Sequence, residues 1–241
     1  MTAAKFADAV RAYRFEQHPF DVAALSLAAR SIADAGLLVV GEPHGVYETP
    51  SVLYRLACEL GTRAIAFEWS HEEVEEPLQA FVRGDPFDFE ALWSLPGTAE
   101  FFCGDGRITA GHFALLERLR QEGRLEQAIA FDRLDPDPPL EWPARDRDLA
   151  ERLLAEWRGQ PLLVLTGAFH ARLDEDETMA AHLARSRRGL ATAMLDFDRG
   201  SCWSRGAAHD VSGSMPEAPI RLRIPEATLA LVPSRAFQRD A

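Results

Sequence analysis

Leu37-Leu38-Val39-Val40-Gly41-Glu42-Pro43-His44-Gly45-Val46-Tyr47-Glu48 decides the reading of this chain. Four successive apolar residues leave no polar side, so as a strand the segment must be covered on both faces, as parallel sheets demand. Gly41 ends the run and titratable groups follow at once. Four further runs repeat the sign: Ala64–Phe67, Ala128–Phe131, Leu162–Leu165 and Ala191–Leu195. Helical periodicity separates most of them, at about Pro50–Leu60, Glu72–Val82, Thr109–Glu122, Arg145–Trp157 and Glu177–Arg187. The alternation predicts an α/β fold with a mostly parallel central sheet flanked by helices.

Outside that core, residues 1–35 read as two helices broken at His18-Pro19, with Asp21 a cap for the second. Residues 83–108, rich in Gly, Pro and aromatics, read as a helical and loop insertion, a candidate lid. Arg221–Ile224 and Thr228–Val232 read as small edge strands, and Ala207–Pro219 as loop. The 241 residues are expected to form one domain.

Composition narrows the function. Lys and Arg number 26 against 38 Asp and Glu, a net charge of −12 that repels phosphate backbones, so no nucleic-acid partner is expected. With 47% apolar and 27% charged residues the chain matches an ordinary globular protein. No apolar run approaches the ~20 residues of a membrane span, and Met1–Phe6 has no signal-peptide character, so no membrane partner and a cytoplasmic location are expected. The three cysteines, Cys58, Cys103 and Cys202, are scattered and outside any Cys-x-x-Cys, and read as reduced and structural. Composition is silent on oligomeric state.

In an open α/β sheet, ligands bind beyond the carboxyl ends of the strands. Here those ends carry Glu42, His44, Tyr47 and Glu48; Glu68 and His71; Asp132; His170 and Arg172; and Asp196. Histidines mixed with carboxylates suit proton transfer or divalent-metal binding. There is no Gly-x-Ser-x-Gly elbow, no His-Glu-x-x-His and no Gly-rich phosphate loop. Two segments share Gly-x-x-His, at 41–44 and 167–170, where glycine lets the backbone turn sharply beside a ligand.

These residues resemble a known superfamily. Leu-Val-Val-Gly-Glu-Pro-His-Gly-x-x-Glu, Ala-Phe-Glu-Trp at the next strand end, Arg145-Asp146-x-Asp148-Leu149-Ala150 and the late Gly-x-x-His are similar to the group uniting erythromycin esterase-like hydrolases, ChaN-like haem-uptake lipoproteins and TraB/Tiki metalloproteases. The resemblance spans roughly residues 35–198. It implies catalytic roles for Glu42, His44, Glu68 and His170, with His44 activating water against an ester, lactone or amide. It also implies a divalent metal, zinc or manganese, on His44, Glu68 and His170 in the Tiki-like case. Departures from the pattern leave the branch open: one residue between Glu42 and His44 is the ChaN and Tiki spacing, whereas Gly45-x-x-Glu48 leans to the esterases. The substrate would be a small molecule or a peptide, contacted by Tyr47, Glu48, His71, Asp132, Arg172 and Asp196. Cyclisation or group transfer at the same site, or haem binding of the ChaN kind, are the alternatives.

Overall fold

A computed structural model describes residues 1–96, 99–133, 141–204, 206–211 and 215–234. The expected α/β architecture is present. Strands β1 (Leu37–Glu42), β2 (Ala64–Ser70), β3 (Gln127–Asp132), β4 (Leu162–Gly167), β5 (Thr192–Phe197) and β8 (Ile220–Ile224) form one six-stranded sheet in the order β3-β2-β4-β1-β5-β8. Every pairing in it is parallel. A separate antiparallel pair, β6 (Ser201–Ser204) with β7 (Ala207–Asp210), lies beside it in sequence.

The continuous apolar runs are explained by which way successive side chains point. In β1, Leu38 and Val40 join one core while Leu37 and Val39 join the other; Leu163 and Leu165 against Leu162 and Val164 divide β4 the same way. Each alternate residue is buried on its own face, so none needs to be polar. The larger core is closed by α1 (Ala3–Ala12), α2 (Val22–Ala35), α3 (Thr49–Leu60), α4 (His71–Arg83) and α6 (Ala110–Gln121). The opposite face is covered by α7 (Trp142–Glu156) and α8 (Met179–Ser186), through Leu149, Leu153, Met179 and Leu183. Asp21 caps α2 as expected, accepting from the amide of Ala23 at 2.6 Å.

Three expectations need correction. Within Ala207–Pro219, residues 207–210 are strand β7 rather than loop, because their backbone finds a partner in β6; residues 212–214 lie outside the described residues. Thr228–Val232 is no strand: its groups bond the loop after β1, through Tyr47 N to Thr228 O at 2.8 Å and Ala230 N to Gly45 O at 2.9 Å. The 83–108 insertion does contain short helices, α5 (Phe89–Trp93) and a 3₁₀ turn at Glu100–Phe102. It is not hung over the sheet as a lid, since Phe87, Leu92, Phe101 and Phe102 are buried in the main core. Phe87 meets Phe113 edge-on at 4.8 Å, an aromatic packing that fixes the insertion in place. Residues 97 and 98 are outside the described part.

Candidate active site

The two Gly-x-x-His segments are brought side by side by sheet register. Glu42 of β1 sits opposite Gly167 of β4, and the amide of Ala168 donates to Glu42 O at 3.0 Å. Both glycines are needed for close approach. A β-carbon on Gly41 would stand 2.5 Å from Met194 Sδ and 2.8 Å from Ala171 Cβ. One on Gly167 would stand 3.0 Å from Nε2 of His44. Gly45, at φ +72°, takes a left-handed turn open to glycine, and a β-carbon there would lie 2.3 Å from the carbonyl oxygen of Trp203.

Two carboxylate–histidine pairs result. Nδ1 of His44 donates to Glu42 Oε1 at 3.2 Å, and Nδ1 of His170 donates to Asp146 Oδ1 at 2.6 Å. Asp146 is fully buried, and its other oxygen accepts from the amide of Met179 at 2.8 Å, so it is fixed at both ends. In each pair the hydrogen bond at Nδ1 selects the tautomer that leaves Nε2 as the working nitrogen. Nε2 of His170 faces Glu68 Oε1 at 3.5 Å.

Glu68, near the carboxyl end of β2, is the hub of the site. Its Oε2 accepts from Thr166 Oγ1 at 2.7 Å and from the amide of Gly167 at 2.8 Å. Its Oε1 lies 3.6 Å from Arg145 and 3.7 Å from Arg107. Burial pushes its pKa up, but His170, His44 and the two guanidiniums together outweigh that and hold it well below the usual carboxylate range. Beneath it Asp132, fully buried, accepts from both arginines, from Arg145 at 2.6 Å. Arg107 is bound in turn by Asp105. For His44, burial opposes the charged form, yet the Glu42 hydrogen bond and the charges of Glu68, Glu42 and Asp105 raise its pKa overall. Burial raises the pKa of Glu42, against the opposing pull of His44.

These groups open on a cleft of about 500 Å³, of the size that small-molecule sites occupy. Glu42, His44, Glu68 and His170 all line it, together with Asp105, Arg107 and Arg145. Trp142 and Phe169, 50% and 60% exposed, supply its apolar side, and Cys202, Ser204 and His209 reach it from the β6–β7 pair.

Asp132 thus belongs to the site as a support under Glu68. Five other expected contacts are placed elsewhere. Tyr47 packs on the ring of Tyr13 at 4.6 Å and takes the amide of Arg14 on its hydroxyl. Glu48 is buried and accepts from Thr228, from N at 2.9 Å and Oγ1 at 2.6 Å, which makes it an anchor for the chain's last described segment. His71 opens α4 and donates to Ala130 O at 3.2 Å. Arg172 pairs with Asp174 and Glu175, and Asp196 with Arg221. None of the five lines the cleft. Each stands at or just beyond the carboxyl end of a strand, but a side chain there serves the site only if the backbone aims it inward.

Sequence reading passed over Trp142 and assigned no role to Arg145, Asp146, Asp105 or Arg107. A signal existed for three of them. Trp142, Arg145 and Asp146 stand at i, i+3 and i+4 of α7, one stripe of one turn, with Leu149 continuing it into the core. Among the described residues no group of three His, Cys, Asp or Glu side chains is arranged to hold a metal ion. The positive charge around Glu68 comes instead from two guanidiniums, so zinc or manganese on His44, Glu68 and His170 finds no ready ligand set here. No described helix is long and apolar enough to cross a membrane.

The sequence matches no protein-family model and no curated protein. Solved structures do match. A Bacillus cereus protein is 9% identical over 96% of this chain and 99% of its own, with a TM-score of 0.60. A protein described as a succinoglycan biosynthesis protein is 10% identical over 95% and 98%, with a TM-score of 0.57. The C-terminal region of Pasteurella multocida toxin, described as having a thiol-protease-like catalytic triad, is 9% identical over 91% of this chain and 30% of that one, at a TM-score of 0.46. The first two likenesses show a shared fold.

Proposed function

We propose that this protein is a hydrolase of esters, lactones or amides that activates water through His44, in the manner of the erythromycin esterase-like group its motifs resemble. One observation carries the reading: two separately oriented histidines, His44 on Glu42 and His170 on Asp146, open onto one cleft beside Glu68. Two basic nitrogens at a single cleft allow one to take a proton while the other gives one.

In the proposed reaction Nε2 of His44 removes a proton from water as the oxygen attacks the carbonyl carbon, and the C=O electron pair moves to oxygen. His170, protonated at Nε2, then delivers its proton to the leaving group as the tetrahedral intermediate collapses. Glu68 accompanies both imidazolium forms with a fixed negative charge. Asp132, Arg107 and Arg145 hold that charge in place, so little reorganisation is needed during the reaction. No step requires a metal.

The test is a panel of 4-nitrophenyl acyl esters, lactones and peptide amides with wild type, His44→Ala and His170→Asn. Turnover of at least one class should fall by about 100-fold or more in both variants, the usual scale for a lost general acid or base. Wild-type kcat in His44→Ala would overturn the reading.

A further inference from the structure

Trp142 is one of five large apolar side chains exposed among the described residues, and it is not idle. Its indole lies parallel to the imidazole of His170, ring centres 4.7 Å apart and planes 12° apart. His170 is only 4% exposed, while Trp142 is half exposed and lines the cleft. Trp142 is the first residue of α7, and Pro143 follows it, fixing the backbone where the helix begins.

We infer that Trp142 is a positioning residue for His170: its indole face and Asp146 together fix the imidazole so that Nε2 points at Glu68 and the cleft. This rests on the hydrolase reading for its consequence in catalysis but not for its geometry. The hydrogen bond from Nδ1 to Asp146 at 2.6 Å fixes one atom of the ring and leaves the ring free to tilt about that bond. A flat surface against one face removes that freedom. Because Trp142, Arg145 and Asp146 share one stripe of α7, a single helical turn sets the ring plane, the partner of Nδ1 and one cation on Glu68 at once. The groups facing His170 are Asp146 from α7 and Glu68 from β2, with Arg145 and Arg107 on the same Glu68 oxygen; α8 contributes the Met179 amide to Asp146.

The experiment compares wild type, Trp142→Phe and Trp142→Ala after circular dichroism confirms folding. Trp142 is half exposed at a helix start, so truncation spares both cores. Proton–nitrogen correlation spectra of protein carrying ¹⁵N-histidine, assigned with His170→Asn, report how many environments the His170 ring samples. Wild type and Trp142→Phe should show one set of His170 ring signals, and Trp142→Ala several sets or broadened ones as the ring tilts. Against the best substrate of the panel, kcat should fall about 10- to 100-fold in Trp142→Ala with KM little changed, and Phe should restore most of it, since displacements of an ångström carry costs of that size. A His170 ring spectrum unchanged in Trp142→Ala would overturn the inference, and so would a rise in KM alone, which marks substrate contact. If no substrate of the panel is turned over, the hydrolase reading fails and the spectra alone decide this one.

Discussion

A β-carbon added to Gly167 would lie 3.0 Å from Nε2 of His44, the atom assigned to activate water, and 3.6 Å from Glu68 Oε2. The glycine of one Gly-x-x-His segment therefore makes room for the histidine of the other. Gly167→Ala should force the imidazole to give way by a few tenths of an ångström. Its φ is not left-handed, so backbone strain is absent. We expect kcat to drop roughly 10-fold with melting temperature nearly unchanged, measured by steady-state kinetics and calorimetry on the same sample. An unaltered kcat would show that the working nitrogen lies elsewhere.

Gly41→Ala makes the contrasting case. Its new methyl would meet Met194 Sδ, Ala171 Cβ and the Ala168 backbone, all within 3.1 Å, inside a packed core. The expected cost is about 1–3 kcal/mol of stability, read from urea unfolding.

The rate should depend on pH with a definite sign. His44 acts as a base only when unprotonated, and its pKa is raised, so kcat/KM should climb with pH through a limb lying above the ordinary histidine value of about 6.5. Glu42→Gln keeps the shape and removes a charge that raises that pKa. Its limb should move to lower pH and its maximum rate should fall; a limb fixed in position would mean that some other group titrates.

His112 gives stability its own pH dependence. It is fully buried on α6, its Nε2 finds no partner, and burial pushes its pKa down to about 3. The folded state keeps it neutral while the unfolded state takes a proton below about 6.5, so the unfolded state binds more protons. Stability should therefore fall as pH drops from about 6.5 toward 3, with a contribution of up to about 1.4 kcal/mol per pH unit from this group. His112→Leu should flatten that slope in urea titrations at several pH values.

Removing Arg107 should damage fold and function together. Asp132 is fully buried between Arg107 and Arg145, and Arg107→Met leaves it with one counter-ion. Breaking a buried pair on one side costs about 3–5 kcal/mol. By contrast Tyr47→Phe should turn over like wild type, because its hydroxyl bonds to the backbone of Arg14, away from the cleft.

The fold was legible because burial on both faces leaves a mark that needs no partner to be read. Leu37–Val40, Leu162–Leu165 and the runs like them are apolar at every position, and only a doubly covered strand tolerates that. The order of strands was not legible, since each run would be equally buried in any central slot. The cleft was half legible. Glu42, His44, Glu68 and His170 stand at or near the carboxyl ends of strands, with Gly41 and Gly167 placed for close approach, and all four line the cleft. Tyr47, Glu48, His71, Arg172 and Asp196 stand at or beyond strand ends too, yet are directed into packing, anchors or surface pairs.

The amino-acid sequence by itself determined that this chain builds a parallel sheet whose carboxyl ends collect acids and histidines, because periodicity and turn chemistry are local. Only the tertiary structure decided that α7 delivers Trp142, Arg145 and Asp146 to His170 and Glu68, and that the 83–108 insertion sends Asp105 and Arg107 to the same place. Those partnerships depend on strand order β3-β2-β4-β1-β5-β8, which puts residues about a hundred positions apart within hydrogen-bond reach, as Glu68 and Thr166 are at 2.7 Å. Electrostatic tuning acts through distance in space, and no local pattern encodes it.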